Sequence, residues 1–101
     1  MEMLKLIQML TICGIPFEMR KHPAGKNYQV FYPSIVAQVC DVVCEDFTYG
    51  GTEGLLETMG LVDEDIDDDV QGWLTAEEMF IKIRDHYINE KARLMNLELE
   101  D

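Results

Sequence analysis

The sequence predicts an α+β fold: an N-terminal helix, a three-stranded antiparallel sheet, a short helix, an acidic loop and a long C-terminal helix. Three observations predict it. An apolar run from the start of the chain stops at Gly14 and Pro16. Strand-like runs between residues 17 and 44 are separated by Pro, Gly and Asn. Thr75, followed three residues later by Glu78, opens a segment whose apolar positions recur at helical spacing. At 101 residues and 48% hydrophobic, the chain holds enough apolar material for one core and too little length for two ordinary domains. Residues 1–101 therefore read as a single domain, with a frayed acidic tail after about residue 95.

Residues 2–13 predict the first helix, because Glu2, Lys5 and Gln8 form a narrow polar strip and the rest of the circumference is apolar. Gly14 fits its C-terminal cap, and Pro16 bars continuation. Phe17–Arg20 and Tyr28–Tyr32 predict a hairpin joined through His22-Pro23-Ala24-Gly25-Lys26-Asn27, whose Pro, Gly and Asn are turn formers. The β-branched run that ends Gln38-Val39-Cys40-Asp41-Val42-Val43-Cys44 predicts the third strand. Tyr49-Gly50-Gly51 reads as a turn and Thr52 as a cap, leading into a short helix over Glu53–Met59 that stops at Gly60. The last helix spans 76 to about 95, and Ala76, Met79, Phe80, Ile83 and Tyr87 mark its buried face.

The net charge of −12 is concentrated late in the chain. Residues 1–60 carry seven acids against four bases, and residues 61–101 carry thirteen against four. Such a surface repels nucleic acid and anionic membranes and attracts cations or basic proteins. Cys13, Cys40 and Cys44 are odd in number and lie in apolar surroundings, which predicts free thiols in a reducing compartment. The opening segment has Glu2 where a secretory leader has basic residues, and its apolar run is too short to span a bilayer. The expected location is cytoplasmic.

The candidate functional feature is the run of Asp63, Glu64, Asp65, Asp67, Asp68 and Asp69, six carboxylates in seven residues. Charge this dense must be solvated, bind a cation, or face a basic partner. Other chemistry is poorly supported. Cys40 and Cys44 are not at zinc or redox spacing, and Gly50-Gly51-Thr52 lacks the lysine of a phosphate loop. There is no Gly-x-Ser-x-Gly nucleophile motif, and the pairs His22 with Asp41 or His86 with Asp85 are what any acid-rich chain offers. The chain reads as non-enzymatic. Ile81, Ile88 and Met95 recur every seven residues on the last helix, a second apolar stripe suited to a wide core face or to a homodimer seam.

Two resemblances add expectations. Residues 67–78 resemble the calcium loop of the EF-hand family. On that likeness Asp67, Asp69, Gln71, the Trp73 carbonyl and Glu78 would ligate the ion, with Gly72 at the turn. Tyr49-Gly50-Gly51-Thr52-Glu53-Gly54-Leu55-Leu56-Glu57-Thr58-Met59-Gly60 and Gly72-Trp73-Leu74-Thr75-Ala76-Glu77-Glu78 resemble segments of short acidic bacteriophage and prophage proteins. That class includes anti-defence inhibitors, the anti-CRISPR proteins among them, some of which present carboxylates in place of nucleic-acid phosphates. By that resemblance the chain is a protein-binding module, with Asp63, Glu64, Asp65, Asp67, Asp68 and Asp69 facing Lys and Arg of a nucleic-acid-binding target.

Overall fold

A computed structural model describes residues 1–100, with side chains through Leu97. Helix α1 spans Glu2–Ile12, strand β1 Glu18–Lys21, β2 Tyr28–Tyr32 and β3 Cys40–Val43. A single 3-10 turn at Gly51–Glu53 precedes β4, Leu56–Met59, and β5, Val70–Leu74. Helix α2 then runs over Ala76–Glu100. The tail expected to fray after about residue 95 includes residues 98–101, which lie outside the described side chains. Among the described residues, no helix is long and apolar enough to cross a membrane.

The strands form one antiparallel meander in the order β1-β2-β3-β4-β5. The fold is thus α+β as expected, but the sheet has five strands where the sequence predicts three. β4 replaces the short helix expected over Glu53–Met59. Gly54, at φ 77°, ends the 3-10 turn, and the few residues left before Gly60 are too short to nucleate a helix. Leu56 and Thr58 are fully buried whereas Met59 is exposed, the period-two pattern of a strand. β5 occupies the segment that reads as loop. Its Gly72 looks like a turn residue, yet an added Cβ there would lie 2.2 Å from the Tyr49 Cβ, so this glycine admits a close crossing of chain over a strand.

Register sorts the sheet into two faces. Val30 pairs with Val42, Tyr32 with Cys40, Val42 with Thr58 and Leu56 with Leu74. These side chains meet Met3, Leu6 and Leu10 of α1 and Ala76, Met79, Phe80 and Ile83 of α2 in one core. Both helices therefore cover the same face. On the opposite face Arg20 stacks over Phe31, 5.0 Å from its ring centre.

The helix ends obey local rules. The Gly14 amide donates to the Thr11 carbonyl and the Ile15 amide to the Leu10 carbonyl, a Schellman closure of α1 with Gly14 at φ 67°. Buried Ile15 and Leu10 supply its usual apolar contact. At the start of α2 the Glu78 amide donates to Thr75 Oγ1 at 3.2 Å, and Glu78 Oε1 accepts from the Thr75 amide at 2.9 Å. This is the predicted capping box.

Candidate functional site

The acidic run forms the connection between β4 and β5, so all six carboxylates project from one end of the sheet. Each of the six residues is exposed, whereas Ile66 in their midst is half-buried. The loop is held at both ends. The Gly60 amide donates to the Asp69 carbonyl at 2.8 Å, and the Ile66 amide to the Asp63 carbonyl at 3.0 Å.

Asp63 is the anchor. Its carboxylate takes a hydrogen bond and ion pair from Lys82 of α2, and its Oδ2 accepts from Gln71 Nε2 at 2.9 Å. The Asp63 amide returns a bond to Gln71 Oε1 at 3.0 Å. The Lys82 and Gln71 bonds hold the Asp63 carboxyl below its ordinary pKa. Among the described residues, the other ion pairs are Glu2–Lys5, Asp85–Arg84 and Glu90–Arg93. Among the described residues, Glu64, Asp65, Asp67, Asp68 and Asp69 thus have no paired base. The structure separates the six into one structural carboxylate and five uncompensated ones.

The calcium geometry is not assembled. Gln71 and Trp73 lie in β5, where Gln71 pairs with Thr58 of β4 and its side chain is committed to Asp63. Glu78 is spent on the Thr75 amide. Asp67 and Asp69 remain on the loop, apart from a closed twelve-residue turn. Among the described residues, no three His, Cys, Asp or Glu side chains come together as a metal site. With Gln71 and Trp73 held in β5 and Glu78 held in the helix cap, these residues do not close around one point with Asp67 and Asp69.

The acid–base pairs suggested on paper do not form either. His22 Nδ1 accepts the Ala24 amide, and Asp41 Oδ2 accepts from Gln29 Nε2 at 2.6 Å. Asp85 is engaged by Arg84, while His86 Nδ1 meets the Tyr32 hydroxyl at 2.8 Å. Cys40 is buried, and burial pushes its thiol up to about 12, the opposite of an activated nucleophile.

Sequence reasoning missed two features near the loop. Tyr49 and Trp73 are both more than half exposed, and the Trp73 amide donates to the Tyr49 carbonyl at 3.2 Å. Trp73 sits at φ 61° where β5 bulges opposite β4. An aromatic residue in the left-handed region is uncommon. The only advance signal was a tryptophan beside a glycine in an otherwise strand-like run.

No family model, curated protein or solved structure matches the chain. The segments 49–60 and 72–78 fold as the 3-10 turn with β4 and as the end of β5 with the capping box.

Proposed function

We propose that the chain is a non-enzymatic protein-binding module whose β4–β5 loop engages a basic surface. The observation that carries this reading is the five exposed carboxylates with no base paired to them among the described residues, on a loop anchored through Asp63 to Lys82 and Gln71. An anchored loop presents its charges without the entropy loss of ordering a flexible tail at the moment of binding. Uncompensated charge speeds encounter with a basic partner and makes the association sensitive to salt.

The target class that fits is a nucleic-acid-binding protein, whose Lys and Arg are spaced to meet phosphates and accept carboxylates in their place. In this reading the chain is an inhibitor acting in the cytoplasm, of the phage anti-defence kind, and it excludes nucleic acid from its target.

The test is a pull-down from bacterial lysate with the full chain and with the Asp67→Asn/Asp68→Asn/Asp69→Asn variant. The expected result is capture of a nucleic-acid-binding protein that falls off as salt rises from about 50 to 200 mM and is lost in the variant. Capture that ignores both salt and the three substitutions defeats the proposal.

A further inference from the structure

We propose that the cavity between α2 and the end of β2 is a binding site for a small aromatic carboxylate. The cavity has a volume of about 450 Å³, within the range of small-molecule sites. Pro16, Pro33, Tyr87 and Leu94 give it apolar walls, and its polar groups come from two successive turns of α2 and from Tyr32.

Those polar groups are arranged as donors. The Tyr32 hydroxyl lies 2.8 Å from His86 Nδ1, and the two rings meet edge to face with centres 5.5 Å apart. In the tautomer where the hydroxyl donates, Nδ1 accepts and the ring's other nitrogen is left to donate. Burial, which pushes Tyr32 up to about 12, keeps that hydrogen in place. That tautomer would place the imidazole hydrogen on Nε2, as a donor to a ligand.

The charges select an anion. Glu90 also lines the cavity, but its Oε1 accepts from Arg93 Nε at 3.2 Å and Nη2 at 2.5 Å, so a cation partly offsets its charge. Lys91 has no carboxylate within 4 Å among the described residues, and its Nζ lies 5.2 Å from the centre of the Tyr87 ring. An aromatic body against the proline, tyrosine and leucine walls, with a carboxylate reaching Lys91 and the imidazole, satisfies every feature of the cavity. The site is independent of the acidic loop. Lys91 lies nine residues beyond Lys82, about 13 Å further along the helix.

Phenylacetate, 2-phenylethylammonium and benzyl alcohol share a ring and differ in charge, so they separate anion selection from simple apolar filling. Each is titrated into the full chain and followed by amide NMR. Saturable shifts with phenylacetate, confined to Tyr32, Val39 and residues 86–94, are expected, with the ammonium weaker by about tenfold, or ~1.4 kcal/mol. Exposed Lys91→Glu should reverse that order without disturbing the fold. His86→Leu, which keeps an apolar wall, should weaken phenylacetate by about tenfold, while the Asp67→Asn/Asp68→Asn/Asp69→Asn variant should keep the order of the three probes. Four results overturn the proposal: no saturation at millimolar phenylacetate, equal binding of the three probes, an order unchanged by Lys91→Glu, or cavity shifts that track protein concentration because a second copy fills the site.

Discussion

Glu2 Oε1 accepts the backbone amide of Ala76 at 2.9 Å, so the first residue of α1 caps the first residue of α2 across 74 positions of sequence. The capping box leaves this amide unpaired, because Thr75 and Glu78 satisfy each other. A carboxylate from a neighbouring helix fills the gap and meets the positive end of the α2 dipole. Ala76 is fully buried, so without Glu2 its amide would face the core edge unbonded.

Removing that cap should therefore destabilise the fold. Glu2→Ala is expected to cost about 1 kcal/mol in urea unfolding, and Glu2→Gln less, since the amide oxygen still accepts. Lys5 pairs with the other oxygen, Oε2, and Lys5→Ala should cost much less than Glu2→Ala. Equal losses from the two would assign the effect to the ion pair instead.

A second prediction concerns Glu45, a carboxylate that is only 4% exposed. It accepts the Lys26 and Asn27 amides at 2.8 Å each and so closes the β1–β2 hairpin loop. Burial pushes its pKa up, but the two amide bonds, helped by His22 and Lys26, outweigh burial and leave it lowered. Glu45→Ala should cost about 2–3 kcal/mol, by leaving two hairpin amides without their acceptor. Hydrogen exchange should show the amides of Lys26 and Asn27 losing protection first.

Acid should act through the same groups. Glu2, Glu45 and Asp63 all have folded pKa values below their ordinary ones, so each contributes stability above its unfolded pKa, near 4. That stability is lost as pH falls through the lowered folded values. Unfolding midpoints measured from pH 6 downward should be flat until about pH 5 and then fall, and Glu45→Gln should flatten the descent.

Base should act through the core. Cys40 is pushed from 9.0 to about 12 and Tyr32 from 10.0 to about 12, both chiefly by burial. For groups with raised folded values, the stability is present below the unfolded pKa and is lost as pH rises toward the folded one. Stability should therefore drop between about pH 9 and 12, at up to roughly 1.4 kcal/mol per pH unit for each group fully titrating in the unfolded chain. Burial raises the Cys44 thiol as well, so Cys40→Ala/Cys44→Ala should shift the onset upward toward pH 10, where Tyr32 takes over; an onset unmoved by the double substitution would contradict this account.

The crossing at Gly72 gives a test of the fifth strand. Gly72→Ala should cost about 1–3 kcal/mol through the clash with Tyr49, and Tyr49→Gly in the same chain should restore only part of it, because the Tyr49 carbonyl oxygen would still lie 2.7 Å from the added Cβ. If residues 70–74 were part of the loop that the sequence suggests, the two substitutions would be additive.

What was legible in the sequence was what neighbours decide. The Gly14 closure of α1, the β1–β2 hairpin and the Thr75–Glu78 box each depend on residues within a few positions of one another, and the structure forms all three. Exposure of the acidic run was legible for the same reason, because repulsion and solvation of adjacent carboxylates are local. Tertiary structure decided the rest. Leu56 and Thr58 became strand residues because Val42 and Leu74 lie beside them, and Gly72 stayed in a strand because Tyr49 passes over it. Asp63 was divided from its five companions only by Lys82 and Gln71, and Glu2 found Ala76 only once the two helices had packed. Hydrogen bonds and pairings between distant segments leave no periodic trace in either segment alone, so this chain shows its helix ends and its charge in sequence, and its sheet edge and loop anchor only when folded.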